Sequence, residues 1–103
     1  MSKKDNLREL VKMLVIALRH KIGSIVNEKE VYAQKYSKDA EFFMKEAKKI
    51  SLKENWNQYD KKEIADSLRV KLKEELKKKD FLADKKFDIM EEEVSKTLNE
   101  LSL

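Results

Sequence analysis

Residues 7–25 have the sequence LRELVKMLVIALRHKIGSI, and this stretch decides the fold. Its apolar residues recur every three or four positions, the period of an α-helix, and form one face: Leu7, Val11, Leu14, Leu18, Ile22 and Ile25. A second apolar set lies on another side of the same helix: Leu10, Met13, Ile16 and Ala17. A helix that is apolar on more than one side is buried on more than one side. We therefore predict that this helix is either the centre of a bundle or part of an oligomer interface.

The composition extends the helical prediction to the whole chain. The 103 residues include no proline and a single glycine, Gly23, so the residues that break helices are almost absent. Apolar residues make up 41% of the chain, too many for a disordered segment even beside 43% charged residues. We predict one all-α domain over residues 1–103, a small bundle of four main helices. The expected helices are 3–26, 28–50, 61–79 and 85–101.

Capping patterns mark where these helices are expected to begin. The pattern is a small polar residue followed three positions later by an acidic one, so that each side chain bonds the other's backbone N–H group. The expected caps are Ser2 with Asp5, Asn27 with Glu30, Asp60 with Glu63, and Asp84 alone. Tyr59 and Ile64 flank the third cap as a hydrophobic staple. Residues 51–59 interrupt the helical pattern and are expected to contain at most a short extra turn.

Each later helix carries an apolar stripe that predicts its buried face. In the second helix the stripe has the spacing of a coiled-coil seam: Tyr36, Ala40, Phe43, Ala47 and Ile50. Phe42 lies beside this seam and is expected to widen the buried stripe. The third helix offers Ile64, Ala65, Leu68, Leu72 and Leu76, and the fourth offers Phe87, Met90, Val94, Leu98 and Leu101.

Most sequence motifs that mark enzyme chemistry are missing from this sequence. There is no cysteine, so the chain has no thiol nucleophile. His20 is the single histidine, so the usual set of cysteine and histidine zinc ligands is missing as well. Glycine-rich phosphate loops and serine nucleophile motifs are absent as well. The closely spaced carboxylates of the last helix are better explained as a solvated acidic face: Asp84, Asp88, Glu91 and Glu92. We predict a non-enzymatic protein with no metal and no cofactor.

Two surface features are candidates for binding. A basic stripe runs along the third helix and could follow a phosphate backbone: Lys62, Arg69, Lys73 and Lys77. Asp66 interrupts it, and no aromatic residues interleave to stack on bases. Trp56 and Tyr59 form a candidate aromatic anchor in the least charged stretch of the chain, although a plug at the end of the bundle explains Trp56 better.

The function favoured by these observations is a non-enzymatic interaction module that associates with itself or docks on another protein. Self-association would use the second apolar set of the first helix and form a homodimer. The alternative is a nucleic-acid-associated accessory protein that uses basic residues of helices one and three, in a chain with net charge +4. The longest apolar run, residues 13–18, is too short to span a bilayer, so we expect no membrane insertion. The lack of cysteine fits a cytoplasmic location.

Overall fold

Four α-helices make up the regular structure of the chain, which the computed structural model describes at residues 2–27, 33–79 and 84–103. They are α1 (Lys3–Val26), α2 (Ala33–Ser51), α3 (Gln58–Lys77) and α4 (Lys85–Glu100). No strand occurs in these described ranges. The predicted all-α bundle of four helices is therefore confirmed, and the bounds of α1 are those expected from its sequence.

The first helix, α1, lies at the centre of the bundle. The other three helices each pack on it, α4 also packs on α3, and α2 packs closely on no described helix except α1. Residues from both apolar sets of α1 are completely or almost completely buried: Leu10, Val11, Leu14, Ala17, Leu18 and Ile22. A single chain thus covers more than one side of α1, which explains why its sequence is apolar nearly all round.

Two ion pairs show the relative direction of α1 and α3. Near the start of both helices, the Lys3 ammonium lies 2.7 Å from the Asp60 carboxylate. Towards their far ends, Arg19 lies 3.6 Å from Glu75. The two helices therefore run parallel, side by side along the bundle.

The cap of α3 differs from the predicted one. The N-cap is Asn57, whose side-chain oxygen accepts the backbone N–H of Asp60 at 2.8 Å, while the Asp60 carboxylate accepts the N–H of Asn57 at 3.1 Å. Asp60 is thus the third helical residue rather than the cap. Tyr59 is 85% exposed, so the predicted staple with Ile64 is wrong as well. The capping box predicted for Ser2 and Asp5 is confirmed.

The other two predicted caps, Asn27 and Asp84, are not observed as helix N-caps with side-chain hydrogen bonds among the described residues. Asn27 lies at the end of α1, where its N–H donates to the Gly23 carbonyl at 3.1 Å; its proposed partner Glu30 lies outside the described residues. Asp84 precedes α4 with helical backbone angles and makes no side-chain cap hydrogen bond, so that prediction is wrong. Instead its carbonyl accepts the N–H of Phe87 at 3.1 Å, closing a tight first turn.

Buried polar side chains join the helices at points that the apolar pattern does not reveal. Glu93 on α4 is almost fully buried, and its Oε2 lies 2.7 Å from the Lys21 ammonium of α1. This contact is an ion pair without hydrogen-bond geometry, because Oε2 has no hydrogen-bond partner. Lys86, also buried, donates to the Lys79 carbonyl at 2.9 Å and ties α4 to the end of α3. Each contact compensates a charge that is costly to bury alone.

Candidate docking surface

The second apolar set of α1 does not form an exposed patch. Leu10 and Ala17 have no exposed surface and lie inside the single chain. Met13 is half-buried and packs against the core, while Ile16 is half-buried at a groove between α1 and α3. The set expected to form a dimer interface is thus divided between the core and its edge, and two of its four members cannot contact a partner in the folded chain.

The basic stripe of α3 is partly neutralised. Lys62 pairs with Asp66 at 2.7 Å, and Arg69 donates through Nε to both carboxylate oxygens of Glu91 on α4. The two remaining members are exposed and form no ion pair with any described residue: Lys73 and Lys77. The sequence revealed the interruption by Asp66 but not the approach of Glu91. The stripe therefore offers two unpaired charges rather than a continuous track for phosphates.

The two members of the candidate aromatic anchor are in different environments. Trp56 is partly buried against the core, and its Nε1 donates to the Ser51 carbonyl at 2.9 Å. It closes the end of the bundle, with its polar edge satisfied by the backbone. Tyr59 is almost entirely exposed on the first turn of α3. Trp56 is thus a structural plug, and the pair is not a common binding hot spot.

His20 is held between α1 and α2 by contacts that account for it structurally. Its Nδ1 donates to the Ile16 carbonyl one turn back at 2.7 Å. Its ring stacks on Phe43 and meets Tyr36 edge to face, with ring centroids 5.8 and 5.9 Å apart. The Asp39 carboxylate lies 4.0 Å from Nε2. Among the described residues no group of three potential ligands is placed to hold a metal ion.

An unexpected feature of α2 is the exposure of two large apolar side chains. Phe42, expected to widen the buried stripe, is 57% exposed, and Leu52, just beyond the helix, is 75% exposed. The predicted seam itself is inward: Ala40, Ala47 and Ile50 are buried, and Phe43 and Tyr36 are half-buried against His20. Because α2 packs closely on α1 alone, its buried face is narrow, and Phe42 falls outside it.

Phe42 and Leu52 lie at the two ends of one stripe. Together with two lysines between them they follow the spacing i, i+3, i+7 and i+10: Phe42, Lys45, Lys49 and Leu52. The N–H of Leu52 still donates to the Lys48 carbonyl at 3.1 Å, so the helical spacing persists to this residue. At a rise of 1.5 Å per residue the stripe is about 15 Å long. We call this stripe and its groove the α2 outer surface.

The α2 outer surface is shallow and positively charged. Its open groove of about 430 Å³ is lined by Phe42, Lys45, Glu46, Lys48, Lys49 and Leu52. Lys49 lies 3.3 Å from Glu46, which partly offsets it. Lys45 and Lys48 are exposed and have no carboxylate within ion-pair distance among the described residues. Two unpaired ammonium groups thus lie between two exposed apolar side chains.

A second shallow groove adjoins the first. Its volume is about 290 Å³, and its lining comes from α2 and the end of α4: Glu41, Met44, Lys45, Lys48, Glu100 and Leu101. Lys45 and Lys48 are shared by both grooves. Met44 and Leu101 add partly buried apolar surface beside them.

A larger groove lies elsewhere, between α1 and α3, and is less suited to binding an apolar ligand. It is about 960 Å³ in volume and wide open, with Val15 and Ile16 as its apolar lining. Charged groups of both signs surround these two residues: Asp5, Arg8, Glu9, Lys12, Arg19, Lys71, Glu74 and Glu75. Arg19 already pairs with Glu75 across it. Such mixed, self-compensated charge is typical of a solvated cleft.

Comparison of the chain with models of protein families, with curated proteins and with solved structures finds no match. In the described part of the chain, no helix has both the length and the apolar character needed to cross a bilayer.

Proposed function

We propose that this protein is a non-enzymatic helical interaction module that docks on another protein through the α2 outer surface. One observation carries the proposal: Phe42 on α2 and Leu52 just beyond its end are both exposed, and α2 packs closely on no described helix except α1. Neither side chain belongs to the buried core. Two exposed apolar side chains that flank a charged groove give a partner apolar area to cover.

The energetic argument is one of unused apolar area. Complete burial of a side chain such as Phe or Leu stabilises a complex by about 1.5–3 kcal/mol. Aromatic side chains contribute strongly to affinity where an interface buries them. Phe42 and Leu52 lie at opposite ends of the groove, with lysines between them. The α2 outer surface thus offers two separate apolar contacts on either side of a charged centre.

Association with a second copy of the chain is the other form of this function. A symmetric dimer through the α2 outer surface would bring the same patch of each copy together. The groove of each copy carries three lysines against one glutamate, so the pairing of two such grooves would bring net positive charge together, which opposes the contact. We therefore propose a different protein as the partner.

The alternative function, association with nucleic acid, is supported by fewer contacts. Phosphate recognition needs several cations along one track, and the stripe of α3 offers only Lys73 and Lys77 unpaired. On α2 the two unpaired lysines have Glu41 and Glu46 as groove neighbours. We keep nucleic-acid binding as an outcome of the tests below.

Photocrosslinking tests the docking proposal. A benzophenone amino acid is placed at Phe42 or Leu52, and at Val70 of α3 as a matched control, because Val70 is 58% exposed against 57% for Phe42. In extracts of the source cells, positions 42 and 52 should give a discrete protein adduct that Val70 does not give. Excess wild-type protein should suppress that adduct, whereas excess Phe42→Ser/Leu52→Ser protein should not. Equal adducts at all three positions, or none at 42 and 52, would refute docking through this surface.

A further inference from the structure

We infer that the segment which docks on the α2 outer surface is an acidic amphipathic helix of a partner protein. This inference rests on the proposed function and specifies the chemistry of its partner. It follows from the length of the stripe, the sign of its charge and the kind of backbone that it can accept.

The length and shape of the surface suit a helix. The stripe from Phe42 to Leu52 is about 15 Å long, whereas apolar anchors at i, i+4 and i+7 of a docked helix span about 10 Å. Phe42 and Leu52 form the two ends against which such anchors can pack. An extended peptide gains most of its affinity by hydrogen bonding to a strand edge, and the described residues contain no strand. A helix satisfies its own backbone and requires only side-chain contacts.

The charge of the surface selects an acidic partner. The groove of the α2 outer surface is lined by three lysines against one glutamate, and Lys45 and Lys48 form no ion pair among the described residues. Carboxylates at the edges of a docked apolar stripe would lie beside these two ammonium groups. Such complementary charges accelerate association and exclude partners of the wrong sign. A basic helix or a second copy of α2 meets like charge at the same place.

Two other kinds of anionic ligand fit less well. A nucleic acid would gain from stacking on Phe42, but Leu52 offers no stacking surface and Glu46 lies in the groove. A lipid surface would require a broad apolar face, whereas the apolar stripe of α2 is buried against α1 and the outer surface exposes two large apolar side chains, Phe42 and Leu52. Both remain as outcomes of the test.

The test uses a defined probe, because the natural partner is unidentified. The probe is a synthetic helix of about 15 residues, with leucines at helical spacing on one face and glutamates on its flanks. Backbone amide shifts of the full chain are followed by NMR during titration to about 1 mM peptide, a range that detects weak complexes. The shifts should saturate and concentrate on residues 42–52. A peptide of the same composition in scrambled order, and one with lysine for glutamate, should bind at least about tenfold more weakly.

Matched variants of the protein locate the contact. Phe42→Ser/Leu52→Ser and Lys45→Glu/Lys48→Glu should each lower the affinity for the acidic peptide at least about tenfold. The control is Lys73→Glu/Lys77→Glu, which makes the same charge change at two exposed, unpaired lysines of α3 and should stay within about twofold. Circular dichroism confirms that each variant is folded. Because the four lysines are all exposed, neither lysine variant removes a core contact.

Several outcomes would overturn the inference. They are the absence of saturable shifts at the highest peptide concentration, equal binding of the scrambled peptide, and an equal loss in the Lys73/Lys77 control. Binding of vesicles containing phosphatidylserine, or of an oligonucleotide, at least about tenfold more tightly than the peptide would also overturn it in favour of that ligand. If a crosslinked adduct forms at positions 42 and 52 while the acidic peptide fails, docking stands and only the acidic helix is rejected.

Discussion

At the scale of single residues, Asn57 determines where α3 begins. Its side chain accepts the N–H of Asp60, one of the backbone donors that has no partner within the helix. Replacing Asn57 by Ala should therefore lower the free energy of unfolding by about 1 kcal/mol, measured as a shift of the urea midpoint. Gln58→Ala is the control, because Gln58 is exposed in the first turn and makes no cap. Equal midpoints for wild type and Asn57→Ala would show that α3 does not depend on this cap.

The capping boxes of α1 and α3 make the stability of the fold depend on pH in the acid range. The Lys3 ammonium, followed by the N–H of Asn57, holds the pKa of Asp60 below its ordinary value of 3.8. Hydrogen bonding with Ser2 lowers the pKa of Asp5 in the same direction. A carboxyl with a lowered pKa in the folded state stabilises the fold above its unfolded pKa, and this contribution is lost as pH falls through the folded pKa.

We therefore expect the urea midpoint to fall as the pH is lowered below about 4. In the double variant Asp5→Asn/Asp60→Asn the fall should be shallower, since two carboxyls that take up protons on unfolding have been removed. Midpoints measured between about pH 2 and pH 6 check this. If the urea midpoint of the double variant falls as steeply with decreasing pH as that of the wild type, other carboxyls cause the acid sensitivity.

The sequence predicted some of these residue roles and misplaced others for a local reason. Ser2 and Asp5 form the one candidate box before α1, so its start was clear. Before α3 we predicted a box of Asp60 with Glu63, whereas the structure forms the overlapping box of Asn57 with Asp60. Asparagine and aspartate are nearly equal as caps, so the pattern cannot choose between them. In the structure Asn57 is the cap, and Tyr59 is exposed on the first turn of α3.

At the scale of helices, the apolar pattern predicted which faces are buried but not how wide each buried face is. The stripes of α3 and α4 lie inward, and Val94 and Leu68 are fully buried. Phe42 was misplaced because the width of a buried face depends on how many neighbours a helix has, and α2 packs closely only on α1. The burial of Glu93 beside Lys21 gives no signal in the sequence either, since charged residues are normally exposed. Hence the candidate docking surface could not be found before the helices were placed.

The central position of α1 gives a test at this scale. Leu10 and Ile16 belong to the same predicted apolar set, but Leu10 is fully buried and Ile16 lies at the edge of a groove. Leu10→Ala should lower the free energy of unfolding by about 2–5 kcal/mol, because a cavity remains in the core. Ile16→Ala should cost clearly less, since solvent can fill the space that is vacated. Chemical denaturation of both variants measures the difference, and a larger loss for Ile16→Ala would argue against α1 as the covered centre of the bundle.

At the scale of the whole molecule, the distribution of apolar surface and charge bears on association. With Leu10 and Ala17 buried, the exposed apolar groups of α2 lie among lysines, and the chain has net charge +4. Net charge and facing lysines oppose the pairing of identical surfaces. Neither the net charge nor the exposed lysines would oppose an acidic partner. The same charges that oppose the pairing of identical surfaces would favour a partner of opposite sign.

This balance predicts that the wild-type chain alone is a monomer. In sedimentation equilibrium near neutral pH and physiological salt, its mass should stay at 12.2 kDa up to tens of micromolar. A concentration-dependent rise towards twice that mass would show self-association, and Phe42→Ser/Leu52→Ser would then locate it. If that variant is monomeric while Met13→Lys/Ile16→Lys still associates, the second copy occupies the α2 outer surface, and the acidic partner is excluded as its principal ligand. If Met13→Lys/Ile16→Lys is instead the folded monomer, the edge of α1 carries the dimer and α2 stays open for a different protein.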